Sequence, residues 1–378
     1  MKKNLVPRVR FKGFDEEWKE EKIESFSKIT IGEFVIKTKQ NDFYEYPVYN
    51  GGITNTGFYK EYNNEGNKII VSARGANAGH INFIEKKYWA GNSCYSIDLI
   101  SNRQRDIKFI FYSMLINKNK FDDNKQVGTI PSVSLEDVRN FIIYFASYSE
   151  QQKIGKLLDQ ISNLITHEEI KLNKLKQLKE TLLQKMFPEG NSKTPRIRFK
   201  GFEGEWKEEK LEETVNILDN LRIPVKESLR SPGAYKYYGA NGIQGKINGY
   251  THKGENILIA EDGANDLNNY PLIFEKNKIW VNNHAHVVTS NNPNLLKNYF
   301  LYLSLKKVNF SDYILGTQRY KLTLSNLKEV LFVITKNISE QQKIGDFFSK
   351  IDSLLSLYQS KLNKLKQIKE ALLQKMFV

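Results

Sequence analysis

Two short clusters in the sequence hold side chains of the kind that carry chemistry. Glu261-Asp262 sets two carboxylates side by side at a glycine turn, and His284-x-His286 puts two imidazoles on one face of a strand. Clustered carboxylates hold the metal ions of nucleases, and imidazoles ligate zinc and its relatives. Neither cluster is complete. Glu261-Asp262 stands alone as a carboxylate pair, and the histidines have no cysteine nearby and no third ligand in view. A polar or half-buried strand face is therefore the expectation for His284 and His286, and no metal is expected. Other catalytic patterns are missing. No G-x-G-x-x-G follows a strand, there is no G-x-x-x-x-G-K-[ST] phosphate loop, and Asn269-Tyr270-Pro271 only approaches the Asn/Asp-Pro-Pro-Tyr/Phe order. No catalytic residue is predicted.

The other polar candidates lie in turns of a chain that repeats itself, so the scaffold comes first. Residues 149–187 read SEQQKIGKLLDQISNLITHEEIKLNKLKQLKETLLQKMF and residues 339–377 read SEQQKIGDFFSKIDSLLSLYQSKLNKLKQIKEALLQKMF. They align without a gap at an offset of 190, with 24 of 39 positions identical. A second repeat precedes each divergent block: PRVRFKGFDEEWKEEKIES at 7–25 and PRIRFKGFEGEWKEEKLEE at 195–213, with 14 of 19 positions identical. The chain is a tandem of two halves, separated by a turn-rich, helix-breaking linker at 188–194.

Each copy of the longer repeat predicts one long helix. Ser149 and Ser339 precede Gln152 and Gln342 by three residues, the capping-box pattern. Apolar residues follow, at first at alternating steps of four and three, with a change of step near Leu178. They are Ile154, Leu158, Ile161, Ile165, Leu172 and Leu175, continuing through Leu178, Leu182 and Met186. In the second copy they are Ile344, Phe348, Ile351, Leu355, Tyr358, Leu362 and Leu365, continuing through Ile368, Leu372 and Met376. Such a helix is a rod of roughly 55 Å. Its stripe needs a partner, and the equivalent stripe is on the other copy, so the two are expected to pack. Glu168 stands where the second copy has Tyr358, an imperfection in the seam. The duplicated aromatics Phe11, Phe14 and Trp18, with Phe199, Phe202 and Trp206, predict packing against the helices.

The 378 residues carry a net charge of +14, which points to a polyanionic partner, and a single cysteine, Cys94, which suits a reducing cytoplasm. The start MKKNLVPRVRF has no apolar core of a signal peptide, and no run of about 18 apolar residues predicts a membrane span. The divergent blocks share a skeleton. Asn50-Gly51-Gly52 answers Asn241-Gly242. A strand into a glycine turn at 68–75 answers 256–263, and 89–97 answers 280–288. A helix follows near 106–117 and 294–306, then Gly128-Thr129 or Gly316-Thr317. A short capped helix starts near Ser134 or Thr323, and an apolar strand spans 141–145 or 330–334. Each block reads as an α+β globule with a curved, β-rich sheet.

The sequence at this point resembles the specificity subunits of type I restriction–modification systems. The two SEQQKIG…LLQKMF helices carry the resemblance, supported by the PRxRFKGF…W segments, the two Gly-Thr elements and the two-half layout, and it covers essentially the whole chain. It implies two globular α/β target recognition domains joined by two long antiparallel helices that form a coiled coil with pseudo-twofold symmetry. The expected division is 1–148 and 195–338 for the recognition domains, 149–187 and 339–378 for the spacer helices, and 188–194 for the linker. The resemblance further implies a non-catalytic, cytoplasmic subunit that binds double-stranded DNA at a bipartite, asymmetric site. It would dock two methyltransferase (modification) subunits and meet restriction subunits indirectly. Cofactors would belong to those partners, S-adenosylmethionine to the methyltransferase and Mg²⁺ with ATP to the restriction subunit, in a complex with adenine-N6 methyltransferase and ATP-dependent endonuclease activity.

Base reading needs paired donors and acceptors: Arg for guanine, Asn or Gln for adenine, acids for cytosine. The loops that share a skeleton but differ in side chains supply the candidates. In the first half they are Asn50, Arg74, Asn77, His80, Asn92, Ser93, Gln126 and Thr129. In the second they are Asn241, Gln244, Asp262, Asn265, Asn283, His284, Gln318, Arg319 and Tyr320. Lys60, Lys125, Lys246 and Lys321 are candidates for phosphate contacts, which position without specifying. An Asn in a turn also serves left-handed backbone geometry. Two rivals remain at this stage: a single-chain enzyme, against which the missing motifs argue, and a coiled-coil scaffold or adaptor without base reading, against which the basic charge and the divergent loops argue.

Overall fold

The structure, a computed structural model, describes residues 5–101, 104–124, 130–316 and 320–378. The chain divides into two compact units. Met1–Glu169 with Ser360–Val378 form the first, and Ile170–Gln359 form the second. The boundary between the units falls within both long helices, and each helix lends its first part to one unit and its last part to the other.

The first unit is built on a four-stranded antiparallel sheet in the order Ser27–Ile31, Cys94–Leu99, Lys68–Ser72, Ile81–Ile84. Its inner strand Lys68–Ser72 is a continuous apolar run, and Ile69 and Val71 are fully buried. A strand covered on both faces reads this way, without alternation. A three-stranded sheet (Phe58–Tyr59, Tyr46–Tyr49, Trp89–Ala90) and a two-stranded ribbon (Lys19–Lys22 with Ile142–Phe145) complete it. The helix Ile107–Ile116 is capped by Asp106, whose carboxylate accepts from the Phe109 N–H at 2.8 Å. A five-residue helix, Leu135–Arg139, starts from a complete Ser134/Asp137 capping box.

The second unit repeats this plan. Its four-stranded sheet runs Val215–Ile217, Ala285–Ser290, Asn256–Ala260, Leu272–Glu275, and its three-stranded sheet runs Gly242–Ile247, Tyr235–Gly239, Trp280–Val281. The ribbon pairs Lys207–Lys210 with Leu331–Ile334, and the helices are Asn298–Leu305 and Leu324–Lys328. Even the parallel pairing recurs, Val48 opposite Trp89 in one unit and Tyr238 opposite Val281 in the other.

The long helices span Tyr148–Lys185 and Ile338–Met376. They begin two residues earlier than a Ser149/Ser339 cap allows. The cap in the second is Asn337, whose side chain accepts from the N–H groups of Ser339 at 3.0 Å and Glu340 at 3.2 Å. The glutamine that anchors is the preceding one. Gln341 is fully buried and accepts from the Lys297 N–H while donating to the Leu295 and Thr335 carbonyls; Gln151 makes the same bridge to Asp106 and Ala146. The glycine of the motif has a local reason in the first copy, where a Cβ on Gly155 would lie 2.4 Å from the Asp106 carboxylate.

Within each unit the two helices run antiparallel. In the first, Glu168 meets Lys361 at 2.8 Å and Glu169 meets Lys366 at 2.7 Å, while Ile154 and Leu158 share a core with Met376 and Phe377. In the second, Lys179 pairs with Asp352, and Leu175 and Leu182 pack against a core that holds Ile344, Phe348 and Ile351. Seam residues Ile161, Leu172 and Leu362 are buried, and Ile165, Leu355 and Leu365 are half-buried. Leu178 and Ile368, both read as part of the stripe, are half exposed at 50%. Glu168 is a buried acid with a cation rather than a defect.

The shorter repeat fastens to the longer one. Arg10 forms a bidentate pair with the fully buried Glu150 at 2.9 and 2.7 Å, and Arg198 does so with Glu340 at 2.6 and 2.8 Å. The fork of a guanidinium matches a carboxylate in this geometry. Trp18 meets Phe109 and Phe377 edge-on, and Trp206 lies against Phe187 and Phe300. Among the described residues no helix is long and apolar enough to cross a membrane.

Candidate nucleic-acid interface

In each unit, three backbone segments meet beyond the end of the inner strand. In the first unit the turn after Lys68–Ser72 pairs Arg74 with Ser132, two residues before the Ser134 cap. The Gly75 N–H donates to the Pro131 carbonyl and the Val133 N–H to the Ala73 carbonyl. In the second unit Asp262 pairs with Lys321, two residues before the Thr323 cap, with Gly263 to Tyr320 and Leu322 to Glu261 as the flanking bonds. The third segment is the turn before the neighbouring strand: the Ala73 N–H donates to the Ser93 carbonyl, and the Glu261 N–H to that of His284.

This frame gathers much of the candidate set. In the first unit it brings together Asn50, Arg74, Asn92 and Ser93, with Asn77 and His80 on the following hairpin. The Asn50 side-chain oxygen accepts from the Ser93 N–H at 3.2 Å, and the His80 N–H donates to the Asn77 carbonyl. Arg74 and Asn92 are exposed. Burial and then the charge of Lys118 lower the His80 pKa. In the second unit the frame joins Asn241, Asp262, Asn265, Asn283, His284, Tyr320 and Lys321. Asn241 donates to the Gly263 carbonyl at 2.7 Å and accepts from the Asn265 N–H at 3.0 Å. Gln244 reaches Asn282 at 3.4 Å. Lys60 faces its neighbour Glu61, and Lys246 lies on the hairpin opposite Lys236, outside these turns. Lys125, Gln126, Thr129, Gln318 and Arg319 lie outside the described residues.

Asn50 and Asn241 do not serve left-handed backbone. Among the described residues the non-glycine with positive φ is Asn67. Both instead use their side-chain amides to fasten a turn.

The histidine pair separates. His284, half-exposed, faces Asp262 at 3.7 Å, whereas His286 is buried. The partners of His286 were invisible at sequence level because Asp219 lies 67 residues away. His286 Nδ1 is 2.6 Å from the Asp219 carboxylate and Nε2 is 2.8 Å from the Leu322 carbonyl. Asp219, Glu261 and His286 bring ligand-type atoms within 4.8 Å of one another, so two carboxylates converge on one histidine. A cation is already there: Arg222 lies 3.2 Å from the same Asp219 oxygen and 2.6 Å from Glu261, and also donates to the Ala285 carbonyl. A metal would have to displace that guanidinium. Burial alone raises the Asp219 carboxyl, but the His286 contact and the Val287 N–H outweigh it and hold the group below its usual value. The arrangement stores a compact ionic cluster directly beneath the Asp262 turn.

With this geometry in place, the comparisons with known proteins fall into line. The family described as "Type I restriction modification DNA specificity domain" matches twice, at residues 15–177 and 203–367. The chain belongs to that family and is a type I restriction–modification specificity subunit with two DNA specificity domains. A type I restriction enzyme specificity subunit of Haemophilus influenzae is 44% identical over 156 residues, 41% of this chain and 39% of that protein. A type I specificity subunit of Mycoplasma genitalium is 24% identical over 369 residues, 95% of this chain and 94% of that one. The crystal structure of a type I restriction–modification S subunit from M. genitalium superimposes with a TM-score of 0.82 at 20% identity, over 99% of each chain, and shares the fold.

Proposed function

We propose that each unit reads one half of a bipartite, asymmetric double-stranded DNA site. The long helices set the unread spacer and dock two adenine methyltransferase subunits, which in turn recruit restriction subunits. The observation that carries this reading is the pair of equivalent bridges. Position for position, Arg74 opposite Ser132 becomes Asp262 opposite Lys321. The backbone frame is kept and the side-chain chemistry inverts from a guanine-type donor to a cytosine-type acceptor. The same frame thus presents an exposed arginine in one unit and a half-buried aspartate beside His284 in the other.

On this reading the base contacts come from Arg74, Asn77, His80, Asn92 and Ser93 in the first unit and from Gln244, Asp262, Asn265, Asn283, His284 and Tyr320 in the second. Lys60, Lys246 and Lys321 approach phosphates, and the net charge of +14 favours the duplex. Asn50 and Asn241 are scaffold first and contacts second. The chain acts by binding, in the cytoplasm. S-adenosylmethionine, ATP and Mg²⁺ are taken by its partners, and no residue of this chain is catalytic.

The test is single-molecule methylation sequencing of DNA from cells that express the chain with its methyltransferase subunit, against cells lacking the chain. A split motif with N6-methyladenine in each half, present only with the chain, is the expected result. An active methyltransferase whose pattern ignores the chain would refute the proposal.

A further inference from the structure

The second residue of the sheet strand Cys94–Leu99 is Tyr95, and the second residue of its counterpart Ala285–Ser290 is His286. Both are buried. Both send a polar atom to the same place, the backbone carbonyl of the residue just before the capped short helix. The Tyr95 hydroxyl donates to Val133 at 3.3 Å, and His286 Nε2 lies 2.8 Å from Leu322. That residue is the inner edge of the segment that bridges to Arg74 in one unit and to Asp262 in the other. The ladder bonds fix the segment along its length, and the side-chain bond pins it to the sheet below.

We infer that Tyr95 and His286 are positioning residues for sequence reading, each latching the segment opposite the Arg74 or Asp262 turn to the core of its own unit. The two latches do one job with different chemistry. Tyr95 uses a single neutral hydroxyl, and burial keeps its phenol protonated by raising its pKa. In the second unit both ring nitrogens of His286 face acceptors, a carboxylate and a carbonyl. Asp219 fixes the ring, Arg222 fixes Asp219 and Glu261, and the Glu261 carbonyl accepts from the Leu322 N–H. The first unit has Ala73 where the second has Glu261, directly after the strand, so it lacks the acid that ties the second cluster to its turn. A side chain that is buried and never meets a base can in this way set how well the turn above it discriminates between bases.

This inference rests on the DNA-reading proposal, and the experiment separates the two. The full chain is assembled with its methyltransferase subunits, and N6-methyladenine is read on a library carrying every single-base change in both halves of the target. The wild-type assembly first has to discriminate; if it methylates without sequence preference, the DNA-reading proposal falls and takes the latch with it. Y95F removes one oxygen at constant shape, and H286F removes both ring nitrogens. Expected is a loss of discrimination of about 2- to 10-fold for Y95F, confined to one half-site. H286F should cost about 10-fold or more, because it also removes one of the partners of the buried Asp219, and the loss should be confined to the other half-site. H286Q, which still offers a donor to Leu322, should recover part of it. Unchanged discrimination in Y95F and H286F, with the wild type discriminating, overturns the inference. So does a drop shared equally by both half-sites that follows the folded fraction measured by thermal melting, since that is the mark of a merely structural role.

Discussion

Phe187 and Phe377 close the two long helices at equivalent positions, and each sits in the core of the unit that the opposite half of the chain begins. Phe187 is fully buried against Trp206 at 5.4 Å and Phe300 at 5.5 Å between ring centroids; Phe377 lies 6.2 Å from Trp18 and 5.2 Å from Phe109 and keeps 7% exposure. Truncating a buried phenylalanine to alanine costs about 3–5 kcal/mol, the transfer term plus the cavity. F187A belongs in that range, and F377A at its lower end because its ring is not fully enclosed. A loss of about 3 kcal/mol multiplies the open population of a cooperative unit more than 100-fold. Hydrogen exchange with peptide-level mass spectrometry reads which unit opens. F377A should release protection in the strands Lys68–Ser72 and Cys94–Leu99, and F187A in Asn256–Ala260 and Ala285–Ser290. If F377A instead loosens the sheet of the second unit and spares the first, the assignment of helix ends to cores is wrong.

Three further outcomes follow from the same geometry. R198M leaves the buried Glu340 without its cation and should lower the unfolding free energy of the second unit, read by denaturant titration, by about 3–5 kcal/mol, while R198M/E340M recovers most of it; equal loss in the double variant would refute the role of the pair. His252 is buried, with Nε2 on the Leu218 carbonyl and Nδ1 on the Thr251 hydroxyl, and burial holds its pKa below the usual value. Between that folded value and the unfolded one the unfolded chain binds more protons, so stability of the second unit should rise with pH up to about 6.5 and level off above it. H252Q should flatten that rise in pH-dependent melts. K321A should weaken DNA binding about equally for all sequences and reduce the salt slope by about 1, measured by fluorescence anisotropy across a salt series.

The scaffold was legible because it is written twice. Repetition exposed the tandem plan, and the period of Ile154, Leu158 and Ile161 exposed the helices; the strands 68–72 and 256–260 announced themselves as apolar runs. Paired N-caps at Ser134 and Thr323 were readable from residue type alone. The cap of the second long helix was misplaced because Ser339 with Gln342 three residues on fits the capping-box spacing, whereas Asn337 does the capping. The stripe through Leu178 overshot, since periodicity reports a face and not what covers it. Arg10 with Glu150, and His286 with Asp219, were hidden for a different reason. Their partners are 140 and 67 residues apart, and no local spacing encodes a meeting at that range.

The helix ends that cross between halves also set a timetable. Trp18 is 359 positions ahead of Phe377 (377 − 18), so the first unit cannot close its core until the second half has been made. At about 5–20 residues per second, the roughly 190 residues after Phe187 occupy a ribosome for about 10–40 s, and for that time the slot lined by Trp18, Phe109 and Phe145 stands open. Residues 360–378 of the second half complete the unit that the first half began.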